Sequence, residues 1–132
     1  MKVFVDTSAL LAVIYEADEN HASASAFWVN AVAAGDELYC TNYILVETIA
    51  LIQSRHGLPE VRQLEQDIVP ILNVHWITRE DHLAAIENTL GSNRRSVSLV
   101  DCSSFQAMQK LRIGTAFTFD KHFRERGFAI VP

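Results

Sequence analysis

The chain has 132 residues, enough for one domain with a sizeable core, and its 49% hydrophobic content argues against disorder. A net charge of −5 argues against a broad nucleic-acid-coating surface, although a metal can bring a phosphate in where net charge does not. Cys40 and Cys102 stand far apart with no CxxC, which argues against a disulfide framework or zinc site and fits small buried residues of a cytoplasmic protein. The longest apolar run, Ala9 to Tyr15, is too short to span a bilayer, and the N-terminus lacks the pattern of a signal peptide. The expectation is therefore a cytoplasmic chain with no membrane attachment.

Lys2 to Val5 reads as a short apolar strand that Asp6 closes. Thr7 or Ser8 can cap the helix that follows, Ala9 to about Tyr15. A second helix spans Asn20 to Ala34, carries Ala24, Phe27, Trp28 and Ala31 on one face, and stops at Gly35. Glu37 to Cys40 is a second strand, and Thr41 or Asn42 caps a helix running to about Arg55. Gly57-Leu58-Pro59 breaks the chain, with Pro59 in the first turn of a helix that ends before Pro70. Ile71 to Trp76 is a third strand. Thr78 to Asp81 opens a helix ended by Gly91, Ser92 to Ser96 is a polar loop, and Ser98 to Asp101 opens another helix, ended by Gly114. Thr115 to Phe119 and Phe128 to Val131 are the last strands. No repeat or linker interrupts the run, so one domain over residues 1–132 is the simplest reading.

Short strands alternating with helices predict a parallel α/β sheet with helices on both faces. In such sheets ligands bind beyond the carboxyl ends of the strands. Four acids converge there. Asp6 and Asp120 end apolar strands, while Glu47 and Asp101 lie in the early turns of helices that start from the same edge. Each has a plainer reading taken singly. Asp6 fits a turn or N-cap, Asp120 fits a cap of the turn at Lys121-His122-Phe123, and Ser98-x-x-Asp101 fits a capping box. Glu47 discriminates, because it lies mid-helix among Tyr43, Ile44, Ala50 and Leu51, which offer it no cation. Four carboxylates at one point need a positive partner, and hard oxygen ligands select Mg²⁺, with Mn²⁺ as a substitute. Thr7, Ser8, Ser98 and Thr118 place hydroxyls beside the acids. The histidines fit no nucleophilic triad; His122, two residues after Asp120, has at most a minor role.

The strand-Asp-Thr-Ser start, the helical Glu after the second strand, Ser-Leu-Val-Asp near residue 100 and Thr-Phe-Asp-Lys-His-Phe near the end resemble the PIN-domain family. Within it they resemble the VapC-type toxins of bacterial and archaeal toxin–antitoxin pairs. The likeness extends over essentially the whole chain. It implies a three-layer α/β/α sandwich with a parallel five-stranded sheet and a metal-dependent ribonuclease activity. The family's acidic positions fall on Asp6, Glu47, Asp101 and Asp120, and its strand-end hydroxyl on Thr118. It also implies a homodimer and an antitoxin partner.

The expected reaction is hydrolysis of RNA phosphodiester bonds: carboxylates hold one or two Mg²⁺ ions, and the metal activates a water. Thr7 and Thr118 are positioning candidates, and Arg94, Arg95, Lys121 and Arg124 are candidates for RNA contact. Phe27, Trp28 and Tyr43 are candidates to line a groove for an antitoxin segment, with a place in the core as the plainer reading of each. The alternative is a catalytically silent PIN-like module that binds RNA or protein. A dehalogenase-like phosphatase would show Asp-x-Asp on the first strand, where this chain has Asp6-Thr7-Ser8, and a receiver domain would show an acidic pair that is missing.

Overall fold

The structure is a computed structural model and describes all of residues 1–132. Five parallel strands form one sheet in the order β3-β2-β1-β4-β5. They are β1 Lys2–Val5, β2 Glu37–Thr41, β3 Asn73–His75, β4 Thr115–Phe117 and β5 Ala129–Val131. The helices are α1 Thr7–Ile14, α2 His21–Ala34, α3 Asn42–Arg55, α4 Leu58–Gln63, α5 Arg79–Ser92, α6 Leu99–Leu111 and α7 Lys121–Glu125. The architecture is the expected α/β/α sandwich. β1 lies at its centre, and Val3, Phe4 and Val5 are fully buried, as a strand covered on both faces requires. Phe4 and Phe105 both pack against Phe123, and Phe27 packs on Phe117 across α2 and β4. Trp28 is therefore part of the core and Phe27 packs against its edge, the plainer of the two readings the sequence offered for them.

Helix boundaries differ from the sequence expectation where the caps decide. α1 starts two residues early because Asp6, not Thr7 or Ser8, is its N-cap and accepts from Ser8 N. α5 runs past Gly91 and turns at Asn93, with φ 51°; α6 stops before Gly114 because Arg112 takes the left-handed conformation, φ 56°. The helix before β3 does not stop at Pro70. It loosens into a π-helical turn over Leu64–Ile68 and a 3₁₀ turn over Val69–Ile71, and β3 is correspondingly shorter than Ile71 to Trp76. α7, read from sequence as a turn, is a five-residue helix. Cys40 and Cys102 are buried and free, and burial pushes the Cys40 thiol up to about 12. No helix is long and apolar enough to cross a membrane.

Chain order and strand order part company at β1. The chain moves outward from β1 to β2 to β3, then returns across the sheet to β4 on the other side of β1. The carboxyl ends of β1 and β4 thus flank the crevice where strand order reverses, the place where open parallel sheets bind ligands.

Candidate metal centre

Asp6 follows β1 directly, and its N–H donates to the Phe117 carbonyl at 3.1 Å, continuing the β1–β4 pairing. Its side chain is 6% exposed. Oδ2 accepts three hydrogen bonds: from Ser8 N at 3.3 Å, Ser8 Oγ at 2.8 Å and Thr118 Oγ1 at 3.1 Å. Burial raises its pKa to about 6; the Ser8 and Thr118 hydrogen bonds oppose the rise, and the nearby Asp101 carboxylate adds to it. Oδ1 accepts no hydrogen bond from the chain.

Thr118 joins the two sides of the crevice. While its hydroxyl donates to Asp6, it accepts from Asp120 N at 3.0 Å. Ser8 does the same in the other direction, donating to Asp6 and accepting from Phe119 N at 3.0 Å. The two hydroxyls fix the chain after β4 against the chain after β1.

Asp120 caps α7: Oδ1 accepts from His122 N at 2.9 Å and lies 2.8 Å from the His122 ring Nδ1. Nδ1 itself makes no hydrogen bond of good geometry. Asp101 sits in the first turn of α6, where Oδ2 accepts from Ser98 N at 3.0 Å while Asp101 N donates to Ser98 Oγ at 3.0 Å. The capping box is real, and it aims Asp101 at the site rather than competing with it. Burial raises the Asp101 pKa; the Ser98 hydrogen bond opposes this, and the Asp120 charge adds to it.

Asp101, Asp120 and His122 each place one ligand-capable atom within 4.8 Å of the others. Asp6 stands next to this group, close enough for its charge and that of Asp101 to repel. Each of the three aspartates shows the same division of labour. One oxygen is held by the protein's own N–H or O–H groups, and the other accepts nothing from the chain. Asp101, Asp120 and His122 with Asp6 beside them form a donor set rich in hard oxygens, of the kind a divalent cation fits.

Glu47 is outside this triad. It lies in the second turn of α3, half-buried and without an ion pair, on the wall of a cavity of about 420 Å³ shared with Tyr43, His82, Leu99 and Val100. Leu99 and Val100 lead directly into Asp101, so Glu47 looks onto the same end of α6. Thr7 makes no side-chain hydrogen bond to an acid; its hydroxyl accepts from Thr48 Oγ1 at 3.1 Å, locking α1 against α3 beside Glu47. The sequence undervalued two residues: Ser8, which holds both chain ends, and His122, which stands among the acids. Both sit at turns, where Ser and His are ordinary, and the pairing of β1 with β4 was the missing signal.

A parallel α/β sheet with aspartates braced by N–H and O–H groups at its switch point defines a class of acid-site α/β domains suited to divalent cations. Residues 3–129 match the PIN domain, and the chain belongs to that family. The crystal structure of Mycobacterium tuberculosis VapC20, a sarcin–ricin loop cleaving toxin, is similar over 98% of this chain and 99% of its own, with 29% identity and a TM-score of 0.85. FitAcB from Neisseria gonorrhoeae is similar over 100% of this chain and 97% of its own, with a TM-score of 0.70; at 13% identity it speaks for the fold alone. No curated protein sequence matches the chain.

Proposed function

We propose that this protein is a Mg²⁺-dependent endoribonuclease, with Mn²⁺ as a substitute, that acts as the toxin of a toxin–antitoxin pair. The supporting observation is the set of three aspartates, each with one braced and one unspent oxygen, at the switch point of a PIN-domain sheet. When bound, a divalent cation supplies charge neutralisation at a phosphate and acidification of a water. Asp6, Asp101 and Asp120 would hold it through their free oxygens. Glu47 would orient a water from the neighbouring cavity wall or complete the ligand set. Thr118 keeps two of the carboxylates in register. Thr7, tied to Thr48, sets the spacing of Asp6 and Glu47. His122 steadies Asp120.

The VapC20 likeness makes a sarcin–ricin loop RNA the first substrate to try. The purified chain is expected to cut it with Mg²⁺ or Mn²⁺ and to stop in EDTA. Asp101→Asn should lower cleavage by at least about 100-fold through lost metal affinity. Cleavage that persists in EDTA overturns the metal reading, and binding without cleavage in saturating Mg²⁺ turns the protein into a silent PIN-like module.

Two protein partners complete the proposal. A co-encoded antitoxin would inhibit by placing an Arg against the carboxylates, whose geometry a guanidinium fork meets bidentately. A second copy of this chain would cover the apolar groove between α3 and β3, at whose rim Val46 and Trp76 are 67% and 69% exposed. Expression of the chain alone should arrest growth, and co-expression of the adjacent gene, or Asp6→Asn, should relieve the arrest. Equal harmlessness of wild type and Asp6→Asn, both soluble, removes the toxin role.

A further inference from the structure

An acidic chain that acts on a polyanion has few cations to place. Five of its 11 lysines and arginines, Arg94, Arg95, Lys121, Arg124 and Arg126, fall in two short segments on either side of the acidic site in sequence. The fold joins the two. Arg94 Nη2 donates to Glu125 Oε2 at 3.2 Å, tying the loop after α5 to α7, the helix that Asp120 caps.

That loop is built, not slack. Asn93 turns it with φ 51°, Arg94 N donates to Ser92 Oγ at 3.3 Å, and buried Val97 donates its N–H to the Arg94 carbonyl at 3.2 Å. Beside it opens a groove of about 480 Å³ with Asn93, Arg94, Arg95 and Ser98 on its walls. Ser98 is the cap of α6 whose N–H is held by Asp101, so this groove and the acidic site share a wall. The charge of Arg94 is already matched by Glu125. Arg95 is exposed and has no carboxylate partner.

We propose that this groove is a subsite for the RNA backbone, that Arg95 grips a phosphate flanking the scissile one, and that Glu125 masks Arg94 from the same role. The inference rests on the ribonuclease reading. A guanidinium fork matches two phosphate oxygens, and a cation next to the carboxylates offsets their repulsion of the strand. Because the contact is to the backbone, it positions RNA without reading its sequence.

The test is steady-state cleavage of a single-stranded RNA by the full chain across a salt series. Arg95→Gln should raise KM about tenfold at low salt, leave kcat at saturation unchanged, and reduce the slope of log KM against log salt by about 0.7, the contribution of one phosphate. Arg95→Lys should restore most of the slope but less of the affinity. Glu125→Gln should do the reverse of Arg95→Gln, lowering KM and steepening the slope. Arg112→Gln, at the far end of α6, is the control and should change neither. If wild type cuts RNA but Arg95→Gln keeps both KM and slope, the subsite is overturned and the ribonuclease stands. If wild type neither cuts nor binds RNA, both fall together.

Discussion

Asp6 carries a cost at neutral pH that follows from its burial. Its carboxyl is held at about pKa 6 by burial, against a usual value of 3.8. Between roughly pH 4 and 6 the native chain keeps a proton there that the unfolded chain has released, so stability falls as pH rises through that window and levels off above it. Metal-free Asp6→Asn should therefore be more stable than wild type at pH 7 by roughly 2–3 kcal/mol, with the gap closing at pH 4. The Asn oxygen can still accept from Ser8 and Thr118, which makes the comparison clean. Urea unfolding at the two pH values checks it, and a gap that does not change with pH contradicts it. Mg²⁺ should raise the melting temperature of wild type at pH 7 and leave that of Asp6→Asn nearly unmoved. Asp6, Asp101 and Asp120 were legible in the sequence because an acid at the end of an apolar strand or inside an apolar helix start is costly without a purpose. The hydroxyl and imidazole partners carry no such cost at a turn, so Ser8 and His122 were legible only as neighbours of the acids.

At the scale of elements, the caps decide both boundaries and chemistry. Ser98 starts α6 and orients Asp101 in one reciprocal pair of hydrogen bonds. Ser98→Ala should cost about 1 kcal/mol of stability and lower cleavage, while Ser98→Thr should recover both; thermal melts and kcat measured side by side separate this from a loss of fold. Thr118→Val keeps shape but removes the hydroxyl between Asp6 and Asp120, and should weaken metal-dependent cleavage by about tenfold or more, read as a higher Mg²⁺ requirement. Strand and helix order was legible from alternation of apolar runs with capping signals. α7 was not, since its five residues are too few to show a helical period, and only Asp120 marks its start. Gly91 and Gly114 misled for a physical reason: Asn93 and Arg112 adopt the left-handed turn that glycine was expected to supply.

For the whole molecule, the return of the chain from β3 to β4 creates the crevice, and no local feature of the sequence specifies it. The resemblance to the PIN domain implied a parallel five-stranded sheet, which the structure shows; the order of its strands was not legible in the sequence. The exposed apolar rim at Val46 and Trp76 belongs to the same scale. The protein should sediment as a dimer, and Trp76→Lys as a folded monomer; a monomeric wild type would leave the rim to another partner.

The bond from Thr118 to Asp6 spans 112 positions. Contacts of such separation form late, because the intervening chain must first be ordered. During synthesis β1, Asp6 and α1 emerge long before the segment that brackets them. A nascent chain therefore carries the acids without the crevice. The site closes only when the segment carrying Thr118 and Asp120 has joined the sheet beside β1.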